Sequence, residues 1–505
     1  MSDSSRDTAA GAGWGSTERG AYTHLMPQRT EKLSWVNPKT LWPARNGTLA
    51  SLFGDPTADT RNRWVEQRTA AGAPADKVFR HPAPDNFSFM VIGDTGEGDE
   101  PQYAVVPGFL RAGQDTEFAV LASDVIYPVG ATDDYGTKFF RPYQDYQAPI
   151  YAIPGNHDWY EDLDGFMRVF CDAQPLPPQP RPRPLSSAWW RSLLWHKPRA
   201  PDEQRLAEAR KLRSAPAQQA VQPGPYWAVD AGPVRIIGID TGLLGTIDAE
   251  QGRWLREVSQ GDTPKILVTG SPLYVDAEHH PCQIDGGGTV DDIVRDPAHH
   301  YVAAIGGDIH NYQRYPVEVD GRTIQYVVAG GGGAFMHATH TMPRVSVGGV
   351  TEADFRCYPL RGDSLAFYSG LYGRRLRMRR FFTLTEDQAT AVVSERLGIP
   401  RTRARAGAEA GAGATRVTAR TRLVASLLGA GGRPDRTSRM RLPVRKAYTQ
   451  LFSPGSATYS PPFFKCFLRL DVSPESVRLR CFSATGNLPQ ELDPPVEDEV
   501  VIPLV

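Results

Sequence analysis

Residues that can bind metal ions stand at the ends of several apolar segments. They carry oxygen or imidazole groups and lie in short glycine- or serine-containing motifs: Asp94 in GDTG, Asp124 in SDVIY, Asn156, His157 and Asp158 in GNHD, and Asp308 and His310 in GDIH. Carboxylate, amide and imidazole ligands together suit a hard or borderline ion such as Mn, Fe or Zn. A carboxylate can bridge two ions, and two ions about 3.5–4 Å apart can clamp a phosphoryl group during its displacement. The residue types therefore predict a metal centre suited to phosphoryl chemistry.

Short apolar segments precede these motifs and predict buried strands that end in loops. The segments are FSFMVIGD, EFAVLASD, APIYAIPGNHD, VRIIGID, KILVTGSP and YVAAIGGDIH. Helix-like stretches such as AEQGRWLREV lie between some of them, and this alternation predicts an α/β sheet. Ligands of such sheets bind beyond the carboxyl ends of the strands, which is where the polar residues cluster.

The length and composition predict a folded chain with long insertions. At about 100–200 residues per domain, 505 residues allow two to four domains. The 48 glycines and 43 prolines exceed average usage but stay below the range typical of wholly disordered chains, so we expect long loops or inserts on a folded scaffold. The net charge of -1 gives no indication of a nucleic-acid partner.

The N-terminus and the cysteines predict a soluble, cytoplasmic protein. The first 20 residues are polar and have no apolar core typical of a secretory signal. No apolar run approaches the roughly 18 residues of a membrane span, so we expect no transmembrane segment. The five cysteines are scattered and never in CxxC spacing, which predicts reduced thiols rather than a disulfide framework or a thiolate zinc site.

Changes in composition divide the chain into regions. These are an N-terminal arm 1–85 partly packed on the body, a core 86–335 with a Pro/Trp-rich insert 172–222, a basic and partly disordered insert 336–460, a hairpin 461–487 and an acidic tail 488–505. The hairpin is predicted from FFKCFLRLDV and VRLRCFSATG, two alternating runs around a polar turn. The tail, which is acidic and proline-rich, is predicted to be an extended arm.

The order of the motifs resembles that of the calcineurin-like metallophosphoesterases. GD-x-G is followed by (G/S)D-x-x-Y, then GNHD, then G-x-x-H. The D-x-x-Y form with Asp124 and Tyr127, and the sequence IHNYQRY, are most similar to the purple-acid-phosphatase branch and its bacterial relatives. The resemblance covers residues 87–335 and the final hairpin. It implies an α/β fold, a four-layer α/β/β/α metallophosphoesterase sandwich with two central sheets, here carrying two long inserts.

The same resemblance implies a dinuclear metal site. Asp94, Asp124, Tyr127 and His310 would hold one ion, with Asp124 bridging to a second ion that Asn156 also binds. The ions would be two divalent or trivalent metals, Mn, Fe or Zn, with the second site weaker than the first.

The resemblance also implies a reaction. His157 would face the phosphate as proton donor or charge stabiliser, Asp158 would orient it, and a metal-bound hydroxide would attack phosphorus in line. A neighbouring carboxylate would favour the imidazolium form that His157 needs as a donor. We therefore predict a hydrolase, a metal-dependent phosphoesterase that acts on phosphate mono- or diesters.

Two departures from the family pattern fall at the second metal. Gly270 in TGSPLY stands where relatives usually have histidine, and Asp308 stands where they usually have another histidine. Asp308 could supply an oxygen ligand or could instead orient His310 from outside the metal. An oxygen-rich second site favours Mn, Mg or Ca over Zn. His279 and His280 follow Gly270 where the branch places substrate-binding histidines, although both could be surface loop residues.

These departures leave alternatives open. The protein could be a degenerate, non-catalytic phosphate- or metal-binding protein on the same scaffold, and Tyr127 could line the pocket without binding metal. The basic runs 373–380 and 401–446 could contact anionic lipid or could be solvated arginine-rich sequence. Trp189, Trp190 and Trp195 could form a lid or could pack the insert onto the body. The substrate, the metal identity and the oligomeric state are not fixed by the sequence.

Overall fold

The computed structural model describes residues 18–27, 42–178, 183–184, 186–400, 402–405, 408–411, 415–431, 442, 444 and 461–504. Its strands, numbered in chain order, are β1 Val78–His81, β2 Phe87–Gly93, β3 Phe118–Ala122, β4 Ile150–Ile153, β5 Trp227–Ala231, β6 Val234–Ile239, β7 Lys265–Thr269, β8 Tyr274–Val275, β9 Glu278–His279, β10 Tyr301–Gly306, β11 Tyr312–Val319, β12 Arg322–Ala329, β13 Ser346–Val347, β14 Val350–Thr351, β15 Arg356–Tyr358, β16 Thr402–Arg405, β17 Ala408–Gly411, β18 Lys465–Val472, β19 Ser476–Ala484 and β20 Val496–Pro503.

The helices are numbered in the same way. They are α1 Asn46–Phe53, α2 Thr57–Ala70, α3 Glu100–Ala112, α4 Asp164–Cys171, α5 Ser187–Leu194, α6 Glu203–Arg210, α7 Ala249–Val258, α8 Val290–Arg295, α9 Arg361–Arg375, α10 Arg379–Phe382, α11 Glu386–Leu397, α12 Ala419–Leu427 and α13 Leu488–Leu492. None of these helices, in the ranges that the structure describes, is both long and apolar enough to cross a bilayer.

Two large sheets form the centre of the fold. The six-stranded sheet has the order β20-β19-β18-β2-β3-β4, in which β2, β3 and β4 are parallel. The eight-stranded sheet has the order β1-β5-β6-β7-β10-β12-β11-β15, in which β6, β7, β10 and β12 are parallel. Parallel strands aligned in this way bring their carboxyl ends to one edge of each sheet.

The first sheet has apolar contacts on both faces because successive side chains of a strand point to opposite sides. In β2, Phe89 and Val91 belong to the apolar cluster that both large sheets share. Met90 and Ile92 belong to a different cluster, which includes Phe109 of α3. A strand buried on both faces reads as a continuous apolar run rather than an alternating one, as FSFMVIG does.

The second sheet shows the same division. In β6, Ile236 joins the cluster shared by the sheets, whereas Ile237 joins a third cluster with Trp254 and Leu255 of α7. The layers are therefore helix, sheet, sheet and helix. The predicted four-layer α/β/β/α sandwich is confirmed.

The C-terminal region completes the first sheet. β18 and β19 form the hairpin that the alternating sequence predicts, and β18 pairs antiparallel with β2. The prediction of an extended arm over 488–505 is wrong, because β20 pairs with β19 as an edge strand. Two of its acidic side chains pair with arginines of other strands. Arg314 Nε lies 2.6 Å from Asp498 Oδ2, and Arg478 lies 2.8 Å from Glu499.

Much of the predicted basic insert 336–460 is folded. Helices α9 and α11 pack on each other, and Leu365 and Tyr368 of α9 lie in the apolar cluster shared by the sheets. His340 is fully buried and contacts Ser364 Oγ at 2.8 Å. Parts of the Ala/Gly/Arg-rich tract 401–432, and most of 432–460, lie outside the described residues.

The N-terminal arm is packed on the body where the structure describes it. Trp64 of α2 is buried, while Trp42 is 65% exposed. Trp14 and Trp35 lie outside the described residues, as does the centre of the proline-rich stretch 175–184.

Candidate metal centre

The motifs meet because their strands end side by side. Asp94 follows β2, Asp124 follows β3, and residues 156–158 follow β4, the neighbouring strand in the same sheet. Asp308 and His310 follow β10 of the other sheet. The carboxyl ends of parallel strands from two packed sheets thus supply one site, as the sequence predicts for this class of fold.

Asp94, Tyr127 and His310 are in direct contact. The Tyr127 hydroxyl lies 3.1 Å from Asp94 Oδ1 and 3.1 Å from His310 Nε2. His310 Nε2 is 3.8 Å from Asp94 Oδ1. All three side chains are buried. Tyr127 thus lies within the polar cluster.

Asp124 and His157 are linked through the backbone. The His157 N–H donates to Asp124 Oδ1 at 2.8 Å. His157 Nδ1 lies 2.6 Å from the Pro128 carbonyl oxygen. The ring sits between Tyr127 and Tyr160, with ring centres 4.6 Å and 4.9 Å away. These contacts fix the orientation of His157.

Asp158 binds the backbone of the loops that carry the metal motifs. Its carboxylate accepts hydrogen bonds from the backbone N–H groups of Val125, Ile126 and Gly155, at 3.0, 3.3 and 3.0 Å. Burial and the charge of Asp124 raise the pKa of Asp158 to about 8. Since the Nδ1 partner of His157 is the Pro128 carbonyl, Asp158 acts on the metal loops and not directly on that ring nitrogen.

Glycines leave room for the carboxylates. A Cβ placed on Gly307 would lie 2.8 Å from Asp94 Oδ2, and one on Gly330 would lie 2.5 Å from the same atom. A Cβ on Gly155 would overlap with Asp124 Oδ1. Asp94 itself has a left-handed backbone, with φ of 56°, a conformation that aspartate tolerates better than most residues.

The electrostatics of the cluster favour a bound cation. Burial, followed by the charges of Asp124 and Asp308, raises the pKa of Asp94 well above its ordinary value. Asp94 Oδ2 is buried and has no hydrogen-bond partner among the described residues. A buried carboxylate oxygen without a partner is costly, and a metal ion would satisfy it.

The predicted ligands have donor atoms that suit a metal ion. Asp94, Asp124, Tyr127 and His310 provide the oxygen and imidazole ligands that a hard or borderline ion prefers. As the side chains stand, however, no three His, Cys, Asp or Glu residues of the described ranges converge closely enough to coordinate an ion. Ion binding would thus require these side chains to move.

A family model matches the part of the chain that contains the metal motifs. Residues 87–312 match the family described as calcineurin-like phosphoesterase. The chain carries a calcineurin-like phosphoesterase domain. The predicted superfamily is therefore confirmed. No curated protein sequence is significantly similar to the chain.

Similarity to solved structures is distant. A purple acid phosphatase from yellow lupin (Lupinus luteus) seeds has 12% identity and a TM-score of 0.36, over 83% of this chain and 54% of that chain. GAP50, the anchor in the inner membrane complex of Plasmodium, has 11% identity and a TM-score of 0.32, over 54% of this chain and 76% of that chain. A Thermus thermophilus protein has 14% identity and a TM-score of 0.28, over 48% of this chain and 89% of that chain. The chain thus spans about half of the lupin enzyme's length.

The predicted second metal position has few candidate ligands. A Cβ on Gly270 would lie 2.7 Å from Thr241 Oγ1 and 3.1 Å from the Pro154 carbonyl, so a larger residue there would require its neighbours to shift. Asn156 Nδ2 donates to the Tyr160 hydroxyl at 3.1 Å. Its amide oxygen and the Asp308 carboxylate are the oxygen groups that could serve a second ion.

The predicted substrate-binding histidines lie on the hairpin β8–β9. His279 Nε2 is 2.8 Å from Asp291 Oδ2, and its ring stacks on Tyr274 with centres 4.6 Å apart. His280 is half exposed and lies 3.8 Å from Glu278. These partners favour the surface-loop alternative, and a role in substrate binding stays a prediction.

The sequence did not single out His337, which supports His310. Its ring stacks on that of His310, with centres 4.4 Å apart and planes 8° from parallel. The His310 N–H donates to His337 Nδ1 at 3.0 Å. His310 Nδ1 contacts the Phe335 carbonyl oxygen at 2.7 Å. The sequence signal that could have indicated this contact is a histidine two residues after GGGGAF, residues 330–335.

The N-terminal arm also supports the metal loop. Trp159 follows the GNHD motif, and its Nε1–H donates to Asp240 Oδ1 at 2.8 Å. Arg61 of α2 binds the other oxygen of Asp240 at 2.7 Å. In the same region, Trp195 Nε1 donates to Asp162 Oδ1 at 3.0 Å. Trp195 therefore packs the insert onto the body, whereas Trp190 is 46% exposed.

Proposed function

We propose that the chain is a metal-dependent phosphoesterase that hydrolyses phosphate mono- or diesters. The phosphoesterase domain over residues 87–312 supports the reaction class. The observation that carries the proposal is the buried cluster of Asp94, Tyr127 and His310, in which Asp94 Oδ2 lacks a partner among the described residues. Structural likeness at these low identities does not contribute to the choice of substrate.

Asp94, Asp124, Tyr127 and His310 would hold the first ion, and Asn156 and Asp308 would serve a weaker second one. Bound metal would supply Lewis-acid activation of water and of the phosphoryl oxygens. His310 is prepared as a ligand, because an Nδ1–H donated to Phe335 leaves the Nε2 lone pair free for metal. Burial, with the charge of His337, lowers the pKa of His310 and keeps its ring neutral.

His157 would contact the phosphoester. Donation of Nδ1–H to the Pro128 carbonyl leaves Nε2 as the edge that can meet a substrate. In its imidazolium form, His157 would donate an Nε2 proton to the leaving oxygen or stabilise charge on the phosphoryl group. The packing between Tyr127 and Tyr160 would hold the ring in place during this step.

The test is hydrolysis of a chromogenic phosphoester with Mn, Fe or Zn added. Asp124→Asn and His157→Gln keep side-chain size, and we expect each to lower kcat/KM at least about 100-fold. His300→Gln, which changes a half-buried histidine outside the metal motifs, should leave activity unchanged. The proposal is wrong if the wild type is inert with every metal and ester, or if both site variants retain full activity.

Gly270 supports one other candidate function, a non-catalytic metal- or phosphate-binding protein. The close approach of Thr241 and Pro154 to that position supports a second metal position packed without the family's histidine. Elemental analysis would separate the two candidates. Two ions per chain with turnover support the enzyme, whereas one ion or none without turnover supports the binding protein.

The cytoplasmic location remains part of this proposal. The five cysteines are free, and four of them are buried, which is typical of a protein that does not depend on disulfides. Fractionation of cells that express the full chain would test the location.

A further inference from the structure

Five arginines crowd a short exposed turn between α9 and α10. We call residues 374–380 the basic turn, and its arginines are Arg374, Arg375, Arg377, Arg379 and Arg380. Every residue of the basic turn is exposed. The turn is remote in sequence from the metal motifs, and the phosphoesterase proposal gives it no role.

Among the described residues, no acid pairs with the arginines of the basic turn. Within the described part of the chain, none of its five arginines forms an ion pair. Elsewhere on the surface, Arg422 pairs with Glu395 and Arg478 with Glu499. Partial burial of Arg374, together with the charge of Arg379, lowers the pKa of Arg374. Like charges are thus held close together at a cost that an anion would relieve.

The fold holds the turn in one shape. The Met378 N–H donates to the Gly373 carbonyl at 3.0 Å, and the Leu376 N–H to the Tyr372 carbonyl at 2.9 Å. From α12, Arg420 donates to the carbonyls of Phe381 and Thr383 at 2.9 and 3.1 Å. Together with its bond to the Arg380 carbonyl at 3.2 Å, Arg420 ties the end of the basic turn to α12.

The basic turn combines cations with exposed apolar side chains. Leu376 is 41% exposed and Met378 is 48% exposed. A cavity of about 630 Å³ opens among the arginines, lined by Arg374, Arg377, Met378, Arg379, Arg380 and Phe381. The space is largely open to solvent, so a phosphate-bearing headgroup on a surface could reach the arginines.

We propose that the basic turn docks on a membrane surface that carries anionic lipids. The arginines would bind phosphate headgroups, and Leu376 and Met378 would enter the interface between headgroups and acyl chains. Basic clusters are attracted to anionic leaflets, and apolar side chains beside them add burial. A nucleic acid or free phosphate would use the arginines but would leave both apolar side chains exposed to water, so the lipid surface accounts for more of the structure.

Vesicle co-sedimentation of the full chain tests this proposal. The wild type should bind vesicles of phosphatidylcholine mixed with phosphatidylglycerol, should not bind phosphatidylcholine alone, and should dissociate as salt is raised. Arg377→Glu with Arg379→Glu should weaken binding at least about tenfold, since each cation near an anionic surface contributes measurably. Leu376→Ser with Met378→Ser should weaken vesicle binding while retention on a heparin matrix is unchanged.

A matched control carries the same change of charge elsewhere. Arg205→Glu with Arg253→Glu alters two exposed arginines on α6 and α7 and should leave vesicle binding nearly unchanged. Urea unfolding and hydrolysis of a soluble phosphoester should be equal for all variants, which shows that they fold. The proposal is overturned if the control weakens binding as much as the turn variant does. It is also overturned if the chain binds a DNA duplex but no vesicle, or if inorganic phosphate alone abolishes vesicle binding at low concentration.

Discussion

Replacing Arg61 by methionine should destabilise the whole chain. Arg61 is almost fully buried, with Nε 2.7 Å from Asp240 Oδ2 and a second ion pair to Asp248. Its guanidinium lies 5.4 Å from the centre of the Trp159 ring. Burial alone would lower the pKa of Arg61, but the two carboxylates more than offset this and raise it. The charge is therefore present in the folded state, and the carboxylates depend on it.

The loss of unfolding free energy in Arg61→Met depends on the hydrogen bonds that the two carboxylates keep. Removing one partner of a buried ion pair typically costs about 3–5 kcal/mol. Asp240 would retain hydrogen bonds from Trp159 and Gly242, and Asp248 would retain those from the first turn of α7. Because these bonds partly satisfy the carboxylates, we expect the lower end, about 3 kcal/mol.

Urea unfolding of the purified chain measures this difference. Arg63→Met is the matched control, because Arg63 lies on the same helix and donates to the Pro177 carbonyl, so it should cost about 1 kcal/mol or less. Adding Asp240→Asn and Asp248→Asn to Arg61→Met should recover part of the loss. Equal losses for Arg61→Met and Arg63→Met would refute this account of how α2 is held.

Two further predictions concern His340 and Gly155. Burial lowers the pKa of His340 from 6.5 to about 4, so the folded state disfavours its protonation. Between pH 6.5 and pH 4 the unfolded chain binds the extra proton, and the wild type should lose about 3 kcal/mol of unfolding free energy that His340→Gln does not lose, measured by urea unfolding at each pH. Gly155→Ala should cost about 1–3 kcal/mol through overlap with Asp124 and should reduce metal-dependent hydrolysis. Gly370→Ala, in open space on α9, should not destabilise the chain in the same assays.

The sequence predicts the parts of the site that depend on strand ends. Asp94, Asp124 and His310 each follow an apolar run, and parallel pairing in a two-sheet fold leaves few other positions for them. The sequence also shows that Gly270, in TGSPLY, stands where relatives usually have a histidine. These inferences are local, since a strand and the residue after it are adjacent in the chain.

The parts that sequence reasoning missed depend on contacts between distant segments. The pairing of Asp498 with Arg314 joins residues 184 positions apart, and nothing near Asp498 in the sequence indicates it. Without that partner the acidic strand β20 looks like a solvated arm. The group that orients His157 was missed for a related reason. Its Nδ1 partner is the backbone carbonyl of Pro128, and since every residue has such a carbonyl, the residue type does not reveal the contact.

Helix α9 connects the two regions for which we propose functions. The Tyr368 hydroxyl donates to the Met336 carbonyl at 2.8 Å, next to His337, while the C-terminal end of the helix leads into the basic turn. From Tyr368 to Arg375 the helix rises about 10 Å, at about 1.5 Å per residue. Because most of α9 is buried, docking would orient the metal centre relative to a surface without reshaping it.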